Sequence, residues 1–405
     1  MKPANRRRFL KSSAGLSAAL VAAAGAGRAA DDAPPASVQP APDDPTKVQG
    51  APPRPYGERS RFETVARVPA GHSSLTPLQA MTGIITPSAL HFERHHAGVP
   101  DIDPRRHRLV IHGMVDRPLV FTMDDLKRFP SVTQIYFMEC SGNGFRRNGV
   151  HTVQQADGLT SCAEWTGVKL SLLLREAGVQ TGASWIVAEG SDAAKMTRSV
   201  PLEKAMKDVL VAYGQNGEAL RPEQGYPVRL FVPGWEGNIS IKWLRRIKVV
   251  DQPYMTREET SKYTDLMPSG KARQFTFEMD PKSLITFPSG GQKLESPGFY
   301  EVSGLAWSGR GAIRRVEVST DGGRTWRDAD LQSPVLPIAY TRFRYAWKWD
   351  GSEAVLQSRC TDEHGDTQPT LEALVKARGE NWGYHFNAIQ SWKVTPNGNV
   401  ENALV

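Results

Sequence analysis

A polar stretch over residues 255–282 separates two halves of the chain whose periodicities differ, and one uniform architecture cannot satisfy both. Before it, short apolar runs at 108–115, 134–137, 185–188 and 227–232 read as strands. Between them, 122–128, 170–177 and 202–208 follow Ser, Thr, Asp or Pro cues and read as helices. After it, 300–307, 313–319, 345–349, 355–360 and 388–394 are short strands punctuated by Ser-Gly, Asp-Gly-Gly and Asp-Gly turns, with helical periodicity nearly absent. The expected fold is α+β: a mixed domain over 81–255, a connector over 256–282 and an all-β, immunoglobulin-like sandwich over 283–398. No Gly-x-Gly-x-x-Gly follows a strand, so a Rossmann dinucleotide site is not expected.

The amino terminus is read separately. Residues 1–30 hold Lys2, Arg6, Arg7, Arg8, Lys11 and Arg28 without one acid, then a weakly apolar run and small residues, the pattern of a twin-arginine export signal. The apolar run falls short of the roughly 20 residues that cross a bilayer, so no stable membrane anchor is expected. The expected location is the periplasm, reached in folded form. Removing those six cations from the formal charge of +7 leaves +1, so the basic balance implies no nucleic-acid partner. Eight prolines between 34 and 55 read as a Pro-rich extended arm, placed over 31–80.

Three cysteines, Cys140, Cys162 and Cys360, can form at most one bridge, so at least one thiol stays reduced or binds something. No Cys-x-x-Cys-His occurs; covalent haem is not expected in this chain, and an electron carrier would be another chain or a non-covalent group. Cys140 stands out. The run Ile135-Tyr136-Phe137 favours an extended strand and delivers the thiol into Ser141-Gly142-Asn143-Gly144, a turn that lets bare backbone crowd a ligand. A thiolate suits a thiophilic metal, whereas a lone cysteine of unknown context is more often a core residue.

Polar groups beside Gly or Pro gather in four segments of the first half, 92–100, the cysteine turn, 189–201 and 225–243. Arg94 and His96 before Val99-Pro100-Asp101-Ile102-Asp103-Pro104, Cys140-Ser141-Gly142-Asn143, Gly225-Tyr226-Pro227-Val228-Arg229 and Ile241-Lys242-Trp243-Leu244 occur in the order that resembles the sulfite oxidase family of molybdopterin enzymes. That resemblance implies a molybdenum–molybdopterin cofactor (Moco) with Cys140 as the protein's metal ligand. It also implies Arg94 and Tyr263 at the reacting centre, and His96, Asp192, Arg229 and Lys242 on the pterin. It implies homodimerisation through the β domain, which carries the Asp321-Gly322-Gly323-x-x-Trp326 hairpin.

The residue chemistry stands beside this. Arg94 offers a fork for an oxyanion and equally a surface ion pair. Arg229 and Lys242 sit in apolar, strand-rich sequence, where a cation needs a counter-charge that a phosphate would supply. Asp192 could equally be a plain turn aspartate, and Tyr263 a ring packed at a domain junction.

Several positions depart from the sulfite-oxidising pattern. Phe145 stands where an arginine is expected, with Arg146 and Arg147 following; Ser161 stands for a tryptophan, Ile239 for an arginine and Gln224 for a histidine. A wider pocket follows. These departures, the Pro-rich arm and the stretches 262–270 and 283–292 resemble the sulfane dehydrogenase subunits within the family. That implies sulfane sulfur on a sulfur-carrier protein as substrate and a c-type cytochrome subunit as electron acceptor. The rival expectations are a sulfite dehydrogenase acting on free sulfite and a non-catalytic assembly protein.

Overall fold

The computed structural model describes residues 49–144, 149–380 and 383–403; the expectations placed on residues 1–30, on the arm as far as residue 48 and on Phe145, Arg146 and Arg147 lie outside these. Residues 49–62 carry neither helix nor strand. From Glu63 onward the chain is one unit. The extended arm expected to reach residue 80 does not hold for its last part. Val68–Ala70 and Ser73–Leu75 form a hairpin, and the second strand pairs with Glu93–Arg94, setting Ser73 opposite Arg94. Leu75 and Leu78 are buried, so this segment has apolar side chains to pack where the arm upstream had prolines.

The first domain holds two five-stranded sheets. One runs Glu218–Ala219, Leu210–Gln215, Thr160–Lys169, Ser131–Glu139, with Arg229–Phe231 also on Leu210–Gln215. The other runs Leu119–Phe121, Leu109–Gly113, Leu244–Val250, Trp185–Gly190, Thr197–Pro201, and its Leu109–Gly113 and Leu244–Val250 pair is parallel. Helix Leu170–Ala177 buries Leu170, Leu173, Leu174 and Ala177, the 3.6-residue spacing of one face. It ends at Gly178, whose φ of 71° is the left-handed cap glycine adopts without a Cβ penalty. Helix Met123–Arg128 starts at Thr122, whose hydroxyl and Asp125 carboxylate form a capping box.

The second domain is the expected sandwich. Lys282–Phe287, Gly298–Trp307, Thr341–Trp349 and Asp330–Leu331 make one sheet. Arg327–Asp328, Ile313–Ser319, Ala354–Asp362, Ser391–Val394 and Val400–Asn402 make the other. Trp307, Phe343, Leu356 and Trp392 fill the space between them. One helix was not expected, Leu371–Arg378, which starts at the Thr370 cap two residues after buried Gln368.

The two domains share a core, in which Phe137, Val153 and Cys162 of the first pack among the sandwich residues. Strand Ser131–Glu139 is therefore held on both faces: Phe137 meets Trp307 at 6.1 Å between ring centres, while Met138 packs with Trp165 and Phe231. Burying a phenylalanine in this way contributes about 2–3 kcal/mol. The strand that ends at Cys140 is thus fixed by both domains. Cys162 and Cys360 are buried and unbridged. Among the described residues no helix is long and apolar enough to cross a membrane.

Candidate active site

Cys140 follows strand Ser131–Glu139, packs against the cluster of Met138, Trp165 and Phe231, and its turn is tied down by hydrogen bonds. Cys140 N donates to Leu159 O at 2.9 Å and Asn143 N to Cys140 O at 2.9 Å. The Asn143 side chain accepts from Leu159 N at 3.0 Å and donates to Glu139 at 2.9 Å. A Cβ built on Gly142 would meet nothing within 4 Å, so the turn is open at that residue. Burial pushes the Cys140 thiol above its ordinary range, against the Gly142 N–H and Arg94, which favour the thiolate.

The seven residues singled out from the sequence, Arg94, His96, Cys140, Asp192, Arg229, Lys242 and Tyr263, all line one pocket. Four of them, Arg94, His96, Cys140 and Tyr263, also face a second, wider cavity of about 730 Å³. Tyr263 Oη lies 3.1 Å from His96 Nε2. Burial, with Arg94 adding to it, pulls His96 down to about 4, so the imidazole is neutral near pH 7. Burial, foremost, pushes the Tyr263 phenol well up.

At the inner end the cations lack close carboxylates of their own. Arg229 donates to Gln224 O and Ser240 O, each at 2.9 Å, and its Nε has no partner. Lys242 donates to Arg94 O and Glu223 O at 3.1 Å and to His95 Nδ1 at 2.8 Å. Glu93 and Glu223 are already paired with Arg67, at 3.3 and 3.4 Å. Burial, with Arg229 adding to it, pulls Lys242 down to about 7, and burial pulls Arg229 down to about 9. Gly225, at φ 108°, lets the loop lie against them, since a Cβ there would stand 3.1 Å from Lys242 Cβ and 3.2 Å from Arg229 Cβ. Two partly or wholly buried cations held by neutral acceptors beside a thiol fit an anionic group that brings a metal: the cations would meet its phosphate and Cys140 its metal.

Other residues reach this site that the sequence analysis did not single out. Asn238 donates to Ser141 Oγ at 3.0 Å and to Glu236 at 2.7 Å, and accepts from Arg198. Arg198 and Glu236, both buried, form an ion pair at 3.3 Å. Against the cost of burial, Arg198 and His385 draw Glu236 down to about 2. From the second domain, His385 N donates to Ser141 O at 2.7 Å, and the Tyr384 ring tilts onto Tyr263 at 5.2 Å. Contacts across such sequence distances leave no local signal.

Of the departures noted in the sequence, Gln224 lines the inner pocket and donates to Phe92 O at 2.8 Å, whereas Ile239 is part of the hydrophobic core. Ser161 overturns the expectation attached to it. It is fully buried, bonded to Thr76 at 2.6 Å and accepting from Phe92 N at 2.9 Å, and it lines neither pocket. The wall of the wide cavity near Cys140 is instead formed in part by Gln155, Ala156, Gly158 and Leu159. Ser161 stands opposite Met138, on the sheet face that Met138 shares with Cys140, but Thr76 and Phe92 cover it, so its size does not set the width of the mouth.

A pocket lined by a thiol and buried cations in an α+β domain, followed by a β sandwich, is an arrangement that fits a class of molybdopterin oxidoreductases. Residues 96–258 match the oxidoreductase molybdopterin binding domain and residues 273–391 the Mo-co oxidoreductase dimerisation domain. The crystal structure of the sulfane dehydrogenase SoxCD from Paracoccus pantotrophus is 46% identical, with a TM-score of 0.85, over 89% of this chain and 99% of that one. Mouse mitochondrial sulfite oxidase is 34% identical over 66% of this chain and 52% of its own length. The NADH nitrate reductase of Ulva prolifera is 33% identical over 60% of this chain and 32% of its own. The chain spans about half or less of the length of these two curated relatives. It belongs to the sulfite oxidase family of molybdopterin oxidoreductases, with the expected α+β and sandwich architecture.

Proposed function

We propose that this chain is the molybdenum subunit of a periplasmic sulfane dehydrogenase, oxidising sulfane sulfur held on a carrier protein and passing electrons to a c-type cytochrome. The observation that carries the reading is the mouth above Cys140. Its volume is about 730 Å³, Arg94, Arg257 and Lys262 stand on its wall, and no carboxylate does among the described residues. A cavity of that size takes a ligand larger than a four-atom oxyanion such as sulfite, and its cations favour an anionic sulfur group. Similarity to the sulfane dehydrogenase structure supports the same substrate class.

In this reading Cys140 is the metal ligand, Arg229 and Lys242 hold the pterin phosphate, and His96 and Asp192 contact the pterin. The bound molybdenum–pterin group would give an oxygen atom to the substrate sulfur and take two electrons, which leave singly to haem while water replaces the oxygen and releases two protons. The protein's own task is positioning and charge. Arg94 holds the developing negative oxygens on sulfur through its fork, and the Tyr263 hydroxyl, tied to neutral His96, donates beside it. Arg257 and Lys262 draw the anion inward. The dimerisation domain supports a homodimer.

The test is turnover by the exported, molybdenum-loaded protein with cytochrome c as acceptor. Carrier-bound persulfide should be oxidised in preference to free sulfite. The reverse preference makes the chain a sulfite dehydrogenase, and a folded exported protein without molybdenum makes it an assembly protein.

A further inference from the structure

We propose that Glu139 is a positioning residue through which the second domain fixes the thiol-bearing turn, an inference that rests on reading Cys140 as the metal ligand. Glu139 immediately precedes Cys140 and is 1% exposed. Its carboxylate accepts from three separate places: Asn143 Nδ2 at 2.9 Å and Lys282 Nζ at 3.0 Å on Oε1, and Trp307 Nε1 at 2.7 Å on Oε2. The last two belong to the second domain. Lys282 Nζ also lies 2.6 Å from Asp157 Oδ1, so one buried ammonium serves two buried carboxylates. Burial lowers the Lys282 proton affinity, but Asp157 and Glu139 outweigh it and the ammonium persists.

An acid buried this deeply costs stability unless its oxygens are filled, and here the donors that fill them tie the turn to the sandwich. The turn lies directly on the cluster. A Cβ on Gly144 would stand 2.8 Å from Asp157 Oδ1 and 3.2 Å from Lys282 Nζ. Among the described residues, the second domain reaches the turn elsewhere only through the segment that carries Tyr384, His385 and Phe386. The His385 N–H donates to Ser141 O, Tyr384 shares the wider cavity with Cys140, and a Cβ on Gly144 would stand 3.1 Å from Phe386 Cδ1.

The experiment follows alkylation of the three thiols by iodoacetamide across a pH series, read by mass spectrometry on the full chain made in a host lacking the molybdenum cofactor. The limiting rate of the fully ionised thiol is compared, so that loss of the Glu139 charge, which by itself favours the thiolate, does not enter. Cys162 and Cys360 are buried and act as internal controls. In Glu139→Gln an amide N–H meets the Trp307 N–H, and Cys140 should react about threefold faster. In Glu139→Leu, which leaves Lys282 paired with Asp157, the rise should reach about tenfold, equivalent to about 1.4 kcal/mol. Cys162 and Cys360 should stay protected in both. In the loaded enzyme Glu139→Gln should lower kcat with KM unchanged. Equal acceleration of all three thiols would mean general loosening and overturn the proposal, as would an unchanged Cys140 rate. Should Glu139→Leu fail to fold, the isosteric Gln variant decides. Absence of molybdenum from the wild-type protein defeats the functional reading but leaves the thiol assay, and hence this proposal's structural half, decidable.

Discussion

Replacing Lys242 with methionine should change the pH dependence of stability of the cofactor-free protein in a defined direction. Burial and Arg229 bring this lysine from 10.5 to about 7 in the folded state. Below pH 7 it is protonated both folded and unfolded, and the folded state carries the full cost of at most about 5 kcal/mol. Between pH 7 and 10.5 the folded form is neutral while the unfolded chain still binds the proton, so stability rises with pH. Above 10.5 the effect is flat. From pH 7 to 9 the gain is at most about 2.7 kcal/mol, because each pH step adds no more than about 1.36 kcal/mol. Lys242→Met has no such proton, so the difference between wild type and variant isolates this group from His95, Glu93, Glu223, Asp192 and Arg229 around it. Urea unfolding at pH 6, 7 and 9 measures it. The methionine variant should be the more stable at pH 6, and the gap should close toward pH 9. Inorganic phosphate at about 100 times its dissociation constant should stabilise wild type by about 2.7 kcal/mol at pH 6 and the variant by less. Parallel pH profiles, or equal stabilisation by phosphate, would refute the idea that Lys242 is a buried cation awaiting an anion.

Cys140→Ser should fold with a melting temperature within a few degrees of wild type, since the turn is held by backbone and Asn143 bonds, yet retain little molybdenum by elemental analysis. Arg94→Lys keeps the charge but loses the fork, and kcat/KM should fall by about 10- to 100-fold in steady-state assays. Tyr263→Phe keeps the ring against Tyr384 and Arg198 but loses the hydroxyl near His96. It should cost about 0.5–1.5 kcal/mol of stability by thermal unfolding and about tenfold in kcat. Raising the ionic strength from 0.01 to 0.15 M should lower kcat/KM for an anionic substrate. Lys262→Gln should flatten that dependence, because the mouth's cations act over a Debye length of about 30 Å at the lower salt and about 8 Å at the higher.

The architecture was legible wherever local chemistry settled it. Gly142, Asn143 and Gly144 after an apolar run announce the cysteine turn, and Lys242 between Ile241 and Trp243 announces a cation short of water. The helix at Leu371–Arg378 was missed because eight residues in a strand-rich domain leave little periodicity to read, and only Leu374 and Arg378 along it are buried. Ser161 does not behave as its place in the sequence suggests. Its register opposite Met138 puts it on the site's side of the sheet, but Thr76 and Phe92, 85 and 69 positions away, cover it, and no local pattern announces that cover. Glu139, Lys282 and Trp307 show a further limit. Each alone reads as an ordinary charged or aromatic residue, and their meeting requires two domains to pack across more than 140 positions of sequence.

The charges divide the pocket into two ends with opposite requirements. At the inner end Arg229 and Lys242 are under-neutralised and would gain from a phosphate. At the thiol end Glu139 and Glu236 both oppose ionisation of Cys140, adding to burial. Without a bound cation these effects favour the protonated sulfur, a poor nucleophile. A metal of high positive charge reverses the balance, since the same carboxylates that disfavour a bare thiolate favour a cation bound to it. A free phosphate would meet only the inner end and a free metal ion only the thiol end. A single group carrying both a phosphate and a metal would meet both requirements at once, with Arg229 and Lys242 holding the phosphate and Cys140 the metal, and this would favour the complete cofactor over its parts.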